Sequence, residues 1–210
     1  MKQFIISLLL VCSVSFTKAQ KMEDVFVKMP DDMIVQLEEA WRKDLVGLFK
    51  SGKVATLENT MQGKSTLLKL TNDYMLLQST ERSTVELKLL PLVNNTNIIC
   101  MIVTVYAPIE DSRVSFYTTE WQDLSVEGMF TQVTEDWFRK DDVENSHPEL
   151  PGLTPGLDML LVKYSLCKEN TNLTAEYMTP RYLDEESRNN VKSLLKTDPK
   201  IYKWNLGHFE

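Results

Sequence analysis

Between residues 54 and 120 the chain carries five β-rich runs, "STLLKL", "DYMLLQS", "STVELKLLPL", "NIICMIVTVY" and "RVSFYTTEW". Asn72-Asp73, Glu81-Arg82, Asn94-Asn95 and Pro108 to Ser112 separate them. Strands at this spacing, joined by short polar turns, read as an antiparallel meander. Ile98 to Val105 is almost wholly apolar, which predicts a central strand covered on both faces. In "RVSFYTTEW", Val114 and Phe116 should face one way and Ser115 and Tyr117 the other.

The flanks follow other periods. "MEDVFVKMP" is a short amphipathic piece stopped at Pro30. "DDMIVQLEEAWRKDLVGLFKSG" places Ile34, Leu37, Trp41, Leu45 and Leu48 on one helical face. This predicts one helix from Asp31 to Ser51, capped by Asp31 or Asp32 and ended by Gly52. After the meander, "TEDWFRKDD" (134–142) reads as a short helix and "VENSHPELPGLTPG" as a loop. "LDMLLVKYSLC" and "LTAEYMTPRY" read as a hairpin turning at Lys168 to Asn172. "DEESRNNVKSLLK" is a helix with an acidic start and a basic end, closed by Pro199. "IYKWNL" ends the pattern as a strand with Tyr202, Trp204 and Leu206 on one face. The fold class is α+β: a mostly antiparallel sheet with helices packed mainly on one face. The element order hints at two loosely similar halves, about 22–120 and 121–210, within a single domain 20–210.

The first twenty residues stand outside that domain. "MKQFIISLLLVCSVSFTKAQ" has a basic start, an apolar run from Phe4 to Phe16, and the small pair Thr17 and Ala19. This is the pattern of a secretory signal peptide, 1–19, cleaved between Ala19 and Gln20. The run is too short to cross a bilayer, which takes roughly 20 residues. A lipid anchor at Cys12 is disfavoured, because Val11 precedes it and apolar residues continue to Phe16. Without the leader, 21 basic side chains face 30 acidic ones, a net charge of −9. Such a surface repels nucleic acid and anionic membranes. Two cysteines remain, Cys100 and Cys167. In an oxidising compartment they can pair, and the competing expectation is two buried free thiols.

No motif names a chemistry. "TMQGKST" (60–66) ends like a phosphate-binding loop, but Glu58 stands where the first glycine belongs and strand follows where a helix is required. Gly63 and Lys64 therefore read as a hairpin turn. Only His147 and His208 could serve a triad, and Asp111-Ser112 reads as a turn. Cys100 sits in the most apolar strand, a poor place for a nucleophile. Asp141, Asp142, Glu144, His147 and Glu149 form an acidic loop without regular calcium-loop spacing. Phe116, Tyr117 and Trp121, and Tyr202, Trp204 and Phe209, would make a binding patch only if exposed; core packing is their commoner use. No catalytic residue, metal ligand or cofactor is expected.

The strings "FVKMP" (26–30), "RKDL" (42–45), "NTMQGKS" (59–65), "LTNDY" (70–74), "VELKLLP" (85–91) and "DSRVSFYTTEW" (111–121) together resemble a domain-of-unknown-function family of small secreted Bacteroidales proteins. The resemblance spans nearly all of the chain after its leader. It implies a bacterial, exported domain and, for a Gram-negative source, an address in the periplasm or cell envelope. It carries over no site residues. Folds of this outline, similar to PepSY-like or β-lactamase-inhibitor-like modules, mostly bind rather than catalyse. The leading expectation is a non-catalytic envelope module for a protein or peptide partner. The alternatives are a secreted hydrolase, which needs converging acids in a deep cleft, and a small-molecule or lipid carrier, which needs an apolar cavity.

Overall fold

The computed structural model describes residues 20–140 and 159–210. The predicted leader with Ala19, and the acidic loop holding Asp141, Asp142, Glu144, His147 and Glu149, lie outside the described residues. Gln20 is the first described residue, and its Nε2 donates to Thr119 O at 3.3 Å.

β1 (Thr56–Glu58), β2 (Lys64–Leu70), β3 (Tyr74–Thr80), β4 (Ser83–Pro91), β5 (Asn97–Tyr106), β6 (Glu110–Thr118) and β7 (Asp123–Leu124) pair antiparallel in chain order. The five predicted runs form β2 to β6 of this meander, and two short strands outside those runs, β1 and β7, extend it at its edges. β5 pairs with β4 from Pro91↔Asn97 to Ser83↔Val105 and with β6 from Ile98↔Thr118 to Tyr106↔Glu110. Side chains on a strand alternate between faces, so this sheet feeds two cores. Leu87, Ile99 and Met101 join one; Ile98, Cys100, Ile102, Val114 and Phe116 join the other.

Two turns show why the strands sit as they do. "TMQGKST" lies on the β1–β2 hairpin. Asn59 Oδ1 accepts from the Met61 and Gly63 amides at 3.1 Å each, and Gln62 takes φ +61°. The Asx geometry closes the chain on itself and leaves no helix N-terminus for phosphate. The β5–β6 turn is shorter than expected. It carries a cis Ala107–Pro108 bond, and Asp111 and Ser112 belong to β6 rather than to the turn.

The first core is closed by α1 (Met22–Val27) and α2 (Glu39–Lys50). The long helix expected from Asp31 is interrupted. Asp31–Met33 make a single 3-10 turn, Ile34 is extended at φ −145°, and α2 starts after Glu38, not at Asp31 or Asp32. Arg42 supplies the cause. Its buried guanidinium donates to Val27 O at 3.1 Å, to Met29 O and Leu37 O, and to Asp31 Oδ1 at 2.8 Å. One side chain thus satisfies the Val27 and Met29 carbonyls ahead of the expected helix, and the Leu37 carbonyl within it that a continuous helix would have bonded internally. Ile34 and Leu37 are buried all the same. Gly52 ends α2 as predicted. At φ +69° its amide bonds Phe49 O, and the Lys53 amide bonds Leu48 O.

The second core is closed by a smaller sheet. β8 (Val162–Leu166) and β9 (Leu173–Tyr177) form the expected hairpin, and β10 (Lys200–Tyr202) adds to β9, giving the order β10-β9-β8. α3 (Glu185–Lys192) is capped by Asp184, whose Oδ1 accepts from the Ser187 amide at 3.0 Å. It stops well before Pro199, because residues 194–196 pair instead with 138–140. The Lys140 amide bonds Leu194 O, and the Lys196 amide bonds Phe138 O. The helix predicted over 134–142 is only a 3-10 turn, Glu135–Phe138. The final strand divides into β10, β11 (Trp204–Asn205) and β12 (His208–Phe209). Tyr202 and Trp204 are buried as expected, but Leu206 sits exposed at the β11–β12 turn with φ +44°. Among the described residues, no helix is long and apolar enough to cross a membrane.

Candidate functional site

Most residues singled out in the sequence serve the fold. Phe116, Trp121, Tyr202, Trp204 and Phe209 are buried, and Tyr117 packs partly buried against Trp121 with ring centroids 5.5 Å apart. Cys100 and Cys167 are both free thiols, Cys100 buried on β5 and Cys167 half-buried after β8. Burial, and then the Glu86 carboxylate, push the Cys100 thiol far up, which suppresses its thiolate. His208 lies exposed on β12, 3.9 Å from Glu210.

Asp111 and Ser112 have a role that their sequence did not reveal. β8 is an edge strand, and the amides of Val162, Tyr164 and Leu166 point away from β9. Each is met by a side chain of the large sheet. Asp111 Oδ1 accepts from Val162 at 3.2 Å, Ser112 Oγ from Tyr164 at 3.1 Å, and Glu86 Oε2 from Leu166 at 3.0 Å. Exposed strand edges invite pairing with other chains, and this row of acceptors covers one. Glu86 is 8% exposed and also accepts from Tyr74 OH at 3.1 Å. Burial raises its carboxyl above the ordinary value; the Leu166 amide, Tyr74, and the charges of Lys163 and Lys69 pull it back. Next to it on the same face, Lys88 reaches Asp73 Oδ2 at 2.8 Å and Lys168 O at 3.1 Å. These buried polar groups hold the two sheets together.

A surface with a different character lies where residues 138–140 meet 194–196. A cleft of about 290 Å³ opens there. The stacked pair Phe138 and Tyr177, 5.1 Å apart and 12° from parallel, is part of its lining, Phe138 buried and Tyr177 half-buried. Residues 195–199 form its wall, and Glu176, Lys196 and Asp198 carry its charges. β10 pairs with β9 only across Leu173–Ala175, so the β9 strand runs past it along the cleft through Glu176 and Tyr177. Pro199, which has no N–H, precedes β10 at that point.

Beside the cleft stands an aromatic and cationic platform. Trp137 meets Phe138 edge-on at 5.2 Å. Lys196 Nζ and Lys200 Nζ lie 5.2 and 5.7 Å from the Trp137 ring centre, and Lys200 Nζ is 4.3 Å from that of Tyr202. Such contacts hold an ammonium group in place without neutralising it. Desolvation lowers the Lys200 pKa, and no carboxylate of a described residue pairs with it. Below the platform, Arg139 Nε and Glu135 Oε1 are buried without a hydrogen-bond partner.

Two other clefts are weaker candidates. The one between α1 and α2, about 330 Å³, has charged lips, across which Lys50 pairs with Glu23 at 2.8 Å. The one at the β1–β2 and β3–β4 turns, about 390 Å³, has no aromatic lining. Among the described residues, no group of three or more His, Cys, Asp or Glu is placed to hold a metal ion. Sequence reading missed Trp137, Lys196 and Lys200. A signal was present, since lysines recur at 192, 196 and 200, but residue spacing could not bring Trp137 beside them.

No curated protein matches this chain. It is similar to a solved structure described as a domain of an uncharacterized protein from Porphyromonas gingivalis W83. That likeness has a TM-score of 0.74 and 26% sequence identity, over 90% of this chain and 97% of the other. The model of the family described as "Protein of unknown function (DUF3256)" matches residues 14–209, and the chain belongs to that family.

Proposed function

We propose that this protein is an exported, non-catalytic module of the cell envelope or periplasm that binds a protein or peptide partner in the cleft beside Trp137. The observation that carries the reading is the cleft of about 290 Å³ lined by Tyr177, Glu176 and residues 195–199 beside the Trp137 ring. An extended peptide can lie in such a cleft and seat one side chain against the half-buried Tyr177. The leader-like residues 1–19 support export. In this reading α1 and α2, which join the opposite core, support the platform and do not touch the ligand.

The test uses the full chain in its own host, tagged, cross-linked in intact cells, and compared with Thr197→Trp. Thr197 is exposed on the cleft wall, and an indole there fills the cavity. A stoichiometric partner present with the wild type and lost with Thr197→Trp is expected. A partner retained at full yield by a folded Thr197→Trp protein refutes this assignment.

A further inference from the structure

We infer that Arg139 and Glu135 form a site for a phosphate group that carries a proton. The site does not depend on the cleft being a peptide site.

Three cations are buried among the described residues, and the fold treats them differently. Arg42 donates to Val27 O, Met29 O, Leu37 O and Asp31, and Lys88 donates to Asp73 and Lys168 O. Arg139, 9% exposed, is the exception. Its Nε has no partner, and its guanidinium reaches only Asp136, at 3.6 Å, beyond hydrogen-bond distance. Asp136 is 80% exposed, so solvent screens even that contact. A guanidinium keeps its charge, and burying it unpaired opposes folding. An oxyanion that accepts from its planar fork removes that penalty.

Glu135 decides which oxyanion. It lies four residues before Arg139, at the start of the 3-10 turn, and its Oε1 is also buried without a partner. A sulfate or a carboxylate would bring only like charge to that oxygen. A phosphate with one protonated oxygen serves both residues. Its bare oxygens accept from Arg139, and its P–OH donates to Glu135.

The backbone holds the pair in place. The Arg139 amide bonds Asp136 O, and Arg139 bridges to Leu195. On either side of that bridge the Lys140 amide bonds Leu194 O and the Lys196 amide bonds Phe138 O. Little ordering is left for an arriving anion to impose. The 10% of the Arg139 side chain that stays exposed gives it access.

Calorimetric titration of the full chain at about pH 6 and low salt tests this, with inorganic phosphate, O-phosphoserine, dimethyl phosphate and sulfate as probes. Phosphate is expected to bind, with dimethyl phosphate and sulfate, which carry no proton there, at least about tenfold weaker. Tenfold is the lower range for one hydrogen bond to a charged group. Phosphoserine tighter than phosphate assigns the site to a phosphorylated side chain, and phosphate tighter assigns it to the free ion; both uphold it. Arg139→Met should abolish binding and, without phosphate, be at least as stable as wild type, because it removes an unpaired buried charge. Arg139→Lys, which keeps the charge and loses the fork, should weaken phosphate at least about tenfold and serves if the methionine variant does not fold. Glu135→Gln should bring sulfate up toward phosphate, because a carboxamide can donate to either. Lys43→Met on α2 should change nothing. The inference is overturned if wild type binds no phosphate, if it binds sulfate equally well, or if a folded Arg139 variant binds phosphate as wild type does.

Discussion

Replacing Glu86 tests how the two sheets are joined. The carboxylate is the shared acceptor for the Leu166 amide and the Tyr74 hydroxyl, and both residues are buried. Glu86→Ala leaves two buried donors without a partner, each costing about 1–3 kcal/mol. Removing a buried charge returns part of that cost. The expected net loss is roughly 2–4 kcal/mol. Glu86→Gln keeps a carbonyl oxygen for both donors and removes the charge, so at neutral pH it should fall within about 1 kcal/mol of wild type or exceed it. The pH response separates the two effects. Burial raises the Glu86 pKa in the fold above its ordinary value of 4.5, so the folded state holds the proton more tightly than the unfolded chain. Wild-type stability from this group is therefore greatest at low pH and is lost as pH rises through the folded pKa. The stability of Glu86→Gln relative to wild type should then grow from pH 4.5 upward. Urea unfolding followed by tryptophan fluorescence across that range measures it. An alanine variant as stable as wild type, or a glutamine variant with the same pH response as wild type, would refute the reasoning.

Other predictions follow from the same contacts. Arg42→Met should cost roughly 3 kcal/mol, because several carbonyls lose a charged donor at once. Asp31→Ala should cost under about 1 kcal/mol, since Asp31 is 59% exposed and solvated; denaturant titration of the pair checks the contrast. Under native conditions iodoacetamide should label Cys167 and spare Cys100, with Cys100 reacting only after unfolding, as peptide mass spectrometry would show. Gly52→Ala should lower stability by about 1 kcal/mol, measurable by thermal melting, because alanine is strained at φ +69°.

Five strands of the meander, β2 to β6, were legible because β-rich runs and the polar residues between them agree there, while the short β1 and β7 carried no such run. Ile98 to Val105 could be read as central, since both of its faces are apolar and each meets a different core. The break before α2 was not legible. Ile34 and Leu37 are buried in the actual path as they would be in a helix, so apolar spacing fits both. Only the reach of Arg42 to Val27, Met29 and Leu37 distinguishes them. Asp111 and Ser112 misled for a related reason. Residues that favour turns also accept hydrogen bonds, and here they cap an edge strand 51 and 52 residues downstream. The candidate site was least legible of all. Trp137 and Lys200 become neighbours only through the pairing of 138–140 with 194–196, and neither segment has a strand-like pattern.

The binding account is tested most directly by a photo-cross-linking amino acid placed at Thr197 on the cleft wall, and separately at Lys43 in the cleft between α1 and α2, in the full chain in living cells. The account predicts a discrete adduct with one protein from Thr197 and none from Lys43. An adduct from Lys43 with none from Thr197 would contradict it, and would move the binding face to the opposite side of the large sheet.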